Sequence, residues 1–305
     1  SDVVDPATAQ VVARAPISGA ADVDAAYAGF VEELKAAGYV EGENLTIDSQ
    51  NPQADQGTLT SIVGTFASSD YDAFYGIATP SAQALAAAIT DRPIVFSAVT
   101  DPVAAELVSS WDAPDGNVTG ASDLNPMKEQ LELIREALPE AKTVGIVYSS
   151  GEVNSEVQVA EAEKYATDLG FEIKTATITN TNEVQQAAES LSVDAYYVIT
   201  DNTVVSALDS LLTVAESKKV PTIAAEGNSV ADGCVGSWGI SYHDLGYQTG
   251  EMAAKVLAGE ADPASTPVED AKNLELYLNL AAAKKQGVTI PQSVIDEADP
   301  ENVTK

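Results

Sequence analysis

Several short stretches of this sequence place a small polar residue at the exit of an apolar run: Thr79-Pro80-Ser81, Asp101-Pro102, Asn125-Pro126, Asn154-Ser155 and Asp201-Asn202. Each reads as a strand-to-helix turn with a capping side chain, and the Pro-containing ones put proline at the first helical position. Taken singly, any of them is an ordinary helix cap. Repeated at many strand ends, they suggest a ligand site. Backbone N–H groups at helix starts suit a carboxylate, and Asp101, Asp201 or Glu226 could receive an ammonium group. Asp201 is the leading candidate, because no lysine or arginine lies near it in sequence. The aromatic candidates are Tyr75, Tyr148, Trp238 and Tyr242. Tyr75 sits within a strand and reads as core. Tyr148 precedes Ser149-Ser150-Gly151 and suits a cleft or the core equally, while Trp238 and Tyr242 suit hinge packing or ligand contact.

Catalysis has little to draw on. His243 is the only histidine and Cys234 the only cysteine. His243 stands beside Asp244, but no Gly-x-Ser-x-Gly elbow accompanies it, and Cys234 sits in a glycine-spaced strand. His243 reads as a helix-entry residue, and no catalytic residue is assigned. There is no Walker loop and no Gly-x-Gly-x-x-Gly. One histidine, one cysteine and no EF-hand spacing argue against a metal site, and no cofactor is expected. Gly233, Gly236 and Gly239 read as close-packing positions.

The charge balance, 15 Lys+Arg against 47 Asp+Glu, gives a formal net charge of −32. Nucleic acids are therefore poor partners, none is expected, and anionic membrane surfaces repel the chain. A solvated acidic surface suits an exported protein or a saline habitat. No apolar run approaches the roughly 18 residues needed to span a bilayer. Ser1-Asp2-Val3-Val4-Asp5-Pro6 lacks the basic start and apolar stretch of a signal peptide, so the sequence reads as a mature or trimmed form.

At 305 residues the chain suits two lobes. Short apolar runs alternate with amphipathic ones, the pattern of βαβ units around parallel sheets. Val23, Tyr27, Phe30, Leu34 and Ala37 recur at helical spacing, with Leu59, Ile62, Val63 and Phe66 marking a second helix. Strands are expected at Leu45–Asp48, Ala73–Ala78, Pro93–Ala98, Thr143–Tyr148, Phe171–Thr177, Ala195–Thr200 and Val220–Ala224, with a weak first strand at Val11–Ala15. The run Asp72-Ala73-Phe74-Tyr75-Gly76-Ile77-Ala78-Thr79 is echoed by Asp194-Ala195-Tyr196-Tyr197-Val198-Ile199-Thr200-Asp201, and each leads to a Pro-led strand. Two similar α/β lobes explain the echo. It also makes Thr79 and Asp201 equivalent positions, expected to face each other. The expected division is residues 1–120 with 243–272, and 121–242 with 273–305. Hinge crossovers are expected near Asn117–Leu124, Val235–Tyr242 and Val268–Leu278.

Ala78-Thr79-Pro80-Ser81-Ala82-Gln83, Pro93 through Pro102 and Asn117-Val118-Thr119-Gly120 carry a family resemblance. So do Gly145-Ile146-Val147-Tyr148 with Asn154-Ser155, Thr200-Asp201-Asn202, and Tyr242 with Leu245-Gly246-Tyr247-Gln248-Thr249-Gly250. From about Asp24 to about Ile290 the chain resembles the ABC-transporter substrate-binding proteins that include tryptophan- and tyrosine-binding members. The resemblance implies a type I periplasmic-binding fold: two Rossmann-like lobes with parallel sheets, three crossovers, and an amino acid held between the lobes. It implies contacts from Thr79, Ser81, Thr100, Asp101, Asn154, Ser155, Asp201, Asn202 and Tyr242. The expected partners are an aromatic amino acid (tryptophan, phenylalanine or tyrosine) and a membrane permease. The expected state is an extracytoplasmic monomer, periplasmic or lipid-anchored, without catalytic turnover. One departure stands out: where the family has His-Pro-Ala-Leu-Asp in a ligand-contacting loop, this chain has Ala20-Ala21-Asp22-Val23-Asp24. The alternatives are a ligand-sensing regulatory core of the same fold, against which the acidic charge and missing basic head argue, and a small-molecule enzyme.

Overall fold

The computed structural model describes residues 9–13 and 20–305. In chain order the strands are β1 (Ala9–Ala13), β2 (Leu45–Ser49), β3 (Ala73–Ile77), β4 (Ile94–Ser97), β5 (Val118–Ser122), β6 (Thr143–Ser149) and β7 (Glu172–Ile178). They continue with β8 (Ala195–Val198), β9 (Thr222–Ala224), β10 (Gly236–Ile240), β11 (Glu269–Asp270), β12 (Leu274–Asn279) and β13 (Val303–Thr304). The helices are α1 (Ala20–Ala36), α2 (Gln56–Ala67), α3 (Thr79–Ala88), α4 (Met127–Ala137), α5 (Val153–Ala166) and α6 (Val184–Ser190). After them come α7 (Asn202–Val205), α8 (Leu208–Lys218), α9 (Gly227–Asp232), α10 (Tyr242–Leu257), α11 (Leu280–Lys285) and α12 (Gln292–Glu297).

The chain forms two compact units. One runs to Leu124 and resumes over Tyr242–Lys272; the other comprises Asn125–Ser241 and Asn273–Lys305. The chain thus passes from unit to unit at Leu124–Asn125, Ser241–Tyr242 and Lys272–Asn273. Asn117–Thr119 stays in the first unit, up to Leu124, and Tyr242 belongs to it as well.

The first unit's sheet has the order β11-β5-β4-β3-β1-β2, with every pairing parallel. β3 and β4 are buried at every position. That is why Ala-Phe-Tyr-Gly-Ile and Ile-Val-Phe-Ser read as unbroken apolar runs rather than alternating ones. Tyr75 is core, as its position suggested: its ring stacks on Phe30 of α1 at 3.8 Å between centroids and an interplanar angle of 6°. Glycine sets the approach of α1 to α10. A Cβ on Gly246 would lie 1.8 Å from the Ala26 carbonyl oxygen, and one on Gly29 2.0 Å from that of His243.

The second unit's sheet has the order β13-β12-β10-β9-β8-β6-β7. Its pairings are parallel except that of β10 with β12, so β12 and the β13 that pairs parallel to it run against the other strands. One face packs under α4 and α5 through Leu131, Ile134, Val144, Ile146, Ala162 and Tyr197. The other packs under α6 and α8 through Val147, Val184, Tyr196, Leu211 and Ala215.

Two local readings change. Ala20-Ala21-Asp22-Val23-Asp24 is not a loop but the opening of α1. Alanines favour helix and Asp22 in the first turn complements its dipole. The first strand ends at Ala13, so the Arg14-Ala15 end of the expected strand lies outside the described residues.

Candidate functional site

Parallel sheets open a crevice at the carboxyl ends of the strands where successive connections diverge to opposite sides. The strand orders put that point between β1 and β3 in the first unit and between β6 and β8 in the second.

In the first unit, β3 turns into α3 through Ala78, at φ 73° and ψ 153°. Ala98, just beyond β4, has φ 58°. Both conformations are disfavoured for a residue with a Cβ and cluster where structure over-determines them. Here the Ala78 N–H is held by the Ser97 carbonyl at 2.9 Å. Ala78, not Thr79, occupies the cap position, and it makes no side-chain cap bond. Thr79 and Ser81 are first-turn residues, whose amides have no carbonyl a turn behind them. Ser81 and Ser97 are fully buried, and the hydroxyl oxygen of each has no hydrogen-bond partner. A buried polar group left unpaired costs about 1–3 kcal/mol, so these two oxygens at adjacent strand ends are groups that a ligand could satisfy.

Thr100 and Tyr242 meet at Asp123. Asp123 accepts from the Thr100 hydroxyl at Oδ1 (3.0 Å) and from the Tyr242 hydroxyl at Oδ2 (3.0 Å). The Ser122 hydroxyl donates to the Thr100 carbonyl at 2.9 Å. Burial raises the Asp123 carboxyl above the usual range, while the Tyr242 and Thr100 hydroxyls pull it back down. Asp101 is engaged locally: its Oδ1 accepts from the Val103 and Ala104 amides, each at 3.0 Å. No helix follows Pro102.

In the second unit Asn154, Ser155, Asp201 and Asn202 come together around Glu152. Asp201 caps α7, its Oδ1 accepting from the Val204 amide at 2.8 Å. Its Oδ2 accepts from the Ser149 amide (2.6 Å) and the Ser155 hydroxyl (2.7 Å). Glu152 Oε2 accepts from the Asn202 amide at 3.0 Å and from the Asn202 side chain. Its Oε1 accepts from the Thr203 amide (3.0 Å) and hydroxyl (2.7 Å). Among the described residues, no basic side chain forms an ion pair with either carboxylate. Burial first, and the Glu152 charge second, push the Asp201 carboxyl up to about 7, against its three donors.

The same turn clamps Thr200. Its N–H donates to Gln158 Oε1 at 3.1 Å and its carbonyl accepts from Asn154 Nδ2 at 2.9 Å. Two side chains one turn apart on α5 thus take the place of a strand partner where β8 leaves β6. Asn154 Oδ1 and Thr200 Oγ1 are buried atoms without a partner.

The remaining candidates stand apart. Glu226 caps α9, accepting from the Asn228 (2.5 Å) and Ser229 (2.8 Å) amides. Tyr148 lies within β6 rather than at its end and packs against the α4–α5 core. Trp238 is in β10, its backbone held at both N–H and carbonyl by Gln130 of α4. Asn125 does not cap α4; Pro126 holds that position. His243 is in the first turn of α10 and half-buried, 3.3 Å from Glu32. Cys234 is buried between α9 and β10, where burial pushes its thiol up to about 12. Among the described residues no group of three His, Cys, Asp or Glu side chains could hold a metal, and no helix is long and apolar enough to cross a membrane.

Glu152, Asp123, Ser97 and Thr200 were missed in sequence. The acidic pair carried the same signal that singled out Asp101 and Asp201, a carboxylate just past an apolar run. Gln130 and Gln158 carried none, because a buried glutamine on an amphipathic helix is written like an exposed one.

A family model described as ABC transporter substrate binding protein matches residues 10–302. The chain is 42% identical over 259 residues to a tyrosine-binding protein of Clostridioides difficile, spanning 84% of this chain and 75% of that one. A crystal structure of a conserved domain protein from Vibrio cholerae has a TM-score of 0.93 at 38% identity, covering 98% of this chain and all of that one. A Streptococcus pneumoniae ABC domain in complex with L-tryptophan has a TM-score of 0.91 at 36% identity, covering 99% and 100%.

Proposed function

This chain belongs to the family of ABC transporter substrate-binding proteins, and we propose that it captures an aromatic L-amino acid outside the cytoplasm for delivery to a membrane permease. The observation that carries the reading is the set of buried, unpartnered polar atoms at strand carboxyl ends: Ser81 Oγ and Ser97 Oγ in one unit, Asn154 Oδ1 and Thr200 Oγ1 in the other. Their chemistry suits a zwitterion. The amides opening α3, with the Ser81 hydroxyl, can donate to a carboxylate. The turn containing Asn154 and Thr200 is rich in acceptors, beside two carboxylates without basic partners, and favours an ammonium group. The named relatives, one tyrosine-binding and one bound to L-tryptophan, favour an aromatic side chain.

In this reading Thr79, Ser81 and Thr100 contact the ligand from the first unit, and Asn154 and Thr200 from the second, with the two units closing on it. Asp101, Ser155, Asp201, Asn202, Glu226 and Tyr242 act through neighbours, since their side chains hydrogen-bond within the protein. The protein performs no chemistry on its cargo. A thermal-shift screen of the common L-amino acids tests the proposal. Tryptophan, tyrosine or phenylalanine should raise the melting temperature, because a ligand that binds only the folded state adds its binding free energy to stability. A screen in which only sugars or purines do so overturns it.

A further inference from the structure

We propose that Glu152 is the positioning residue that sets the polarity of the second unit's turn, making it an acceptor for a cationic group and closing it to a carboxylate. The inference rests on the amino-acid reading above and adds how the turn tells one end of a zwitterion from the other.

A side-chain amide can present either its oxygen or its nitrogen, and its surroundings decide which. Asn154 has its Nδ2 fixed from two sides. The Thr200 carbonyl accepts from it at 2.9 Å and Glu152 Oε2 stands 3.4 Å away. Both neighbours are pure acceptors, so neither tolerates the flipped amide, and Oδ1 is left as the buried atom without a partner. The same carboxylate gathers the amide and side chain of Asn202 and the amide and hydroxyl of Thr203. Those donors could otherwise greet an incoming anion. Glu152 therefore does two things with one group: it points the Asn154 nitrogen inward and it consumes the donors at the start of α7. What remains is Asn154 Oδ1 and Thr200 Oγ1 next to uncompensated negative charge. A ligand group meeting Asn154 Oδ1 must donate, while the Thr200 hydroxyl can turn to either role. Glu152 itself is 5% exposed, with both oxygens already in use, and its effect is exerted through Asn154.

The test uses the full chain with Glu152→Gln and Glu152→Ala, and Glu156→Gln as a control that removes an exposed charge from α5, the helix Glu152 immediately precedes. Calorimetry would compare L-tryptophan with 3-(indol-3-yl)propionate, which has the carboxylate and ring but no ammonium. Wild type and Glu156→Gln should bind L-tryptophan at least about 100-fold more tightly than the analogue. Both Glu152 variants should cut that ratio tenfold or more while analogue affinity changes no more than two- to threefold. A merely structural residue would lower both affinities together and leave the ratio standing, and that result overturns the proposal. Hydrogen exchange on the ligand-free protein gives a second reading. The Asn202 and Thr203 amides should lose protection in Glu152→Ala while those of β6 and β7 keep theirs, and unchanged protection also overturns it. If wild type binds no aromatic amino acid but the exchange result appears, the amino-acid reading fails and the positioning by Glu152 stands.

Discussion

Asp201 illustrates how much a single residue's identity can reveal and how much it conceals. Its place at the end of β8 and its lack of a basic neighbour were plain in sequence. Hidden were Ser149, Ser155 and Val204, which occupy its oxygens, because two of the three lie far back along the chain. Its pH response follows from burial. The folded-state pKa is raised to about 7, above that of the unfolded chain. The stabilisation linked to its proton is complete below the unfolded value, near pH 4, and fades as pH rises through about 7. Over that window the loss is at most about 1.4 kcal/mol per pH unit. Asp201→Asn cannot titrate, and whichever way its amide turns, its nitrogen faces an N–H or O–H donor. The variant should therefore be less stable than wild type near pH 5 by several kcal/mol, and the gap should narrow toward pH 8. Urea titrations across that range measure it; a gap independent of pH contradicts the raised pKa. At Asp123, replacement by asparagine should weaken ligand binding about tenfold through misplacement of Thr100, leaving the fold intact. Calorimetry beside circular dichroism would show whether affinity and fold separate this way.

At the scale of elements, β1 to β4, β6 to β9, α1 and α2 are legible because a strand buried on both faces is apolar throughout and a helix on a sheet is apolar on one side. By contrast, β5, β10, β11 and β12 lie in stretches that read as crossovers, and β13 carries too short a run to mark it. The turns were legible as turns but not in register. Thr79 has the sequence signature of a cap for α3, yet the chain enters that helix through an alanine in a conformation suited to glycine. Ala78→Gly should raise stability by about 1 kcal/mol, the strain removed exceeding the added freedom of the unfolded chain. A lower melting temperature would mean that Ala78 is not strained. Gly246 is the opposite case. In sequence it is one residue of Leu245-Gly246-Tyr247, yet a side chain there would collide with the Ala26 backbone. Gly246→Ala should cost about 3 kcal/mol or more by forcing α10 off α1, which thermal denaturation measures directly. Spacing alone did not show this, since the partner glycine and alanine sit on a helix more than half the chain away.

For the whole molecule, the echo between Asp72–Thr79 and Asp194–Asp201 pointed to two α/β units, and two are present. The antiparallel β12 was not foreseen, because a strand after a long crossover carries no mark of its direction. The net charge of −32 acts on the whole fold through self-repulsion, which salt screens over about 10 Å at 0.1 M. Raising sodium chloride from about 0.05 to 0.5 M should lift the melting temperature by several degrees, roughly 2–4 °C per kcal/mol recovered; a flat response would mean the charges are too well spread to matter. Small-angle scattering with saturating L-tryptophan should show a smaller radius of gyration than without it if the units close on the ligand. The weaving of the chain also bears on how the protein is born. α10, whose glycine face seats α1, and β11, which edges the first sheet, follow Ser241; β12 and β13, which complete the second sheet, follow Lys272. During synthesis neither unit can close when its first segment emerges. Both wait for the stretch from Tyr242 onward, and an exposed groove on α1 must be kept from other partners until then. A ribosome-stalled chain ending at Ser241 should remain protease-sensitive in both units, and the folded protein should not.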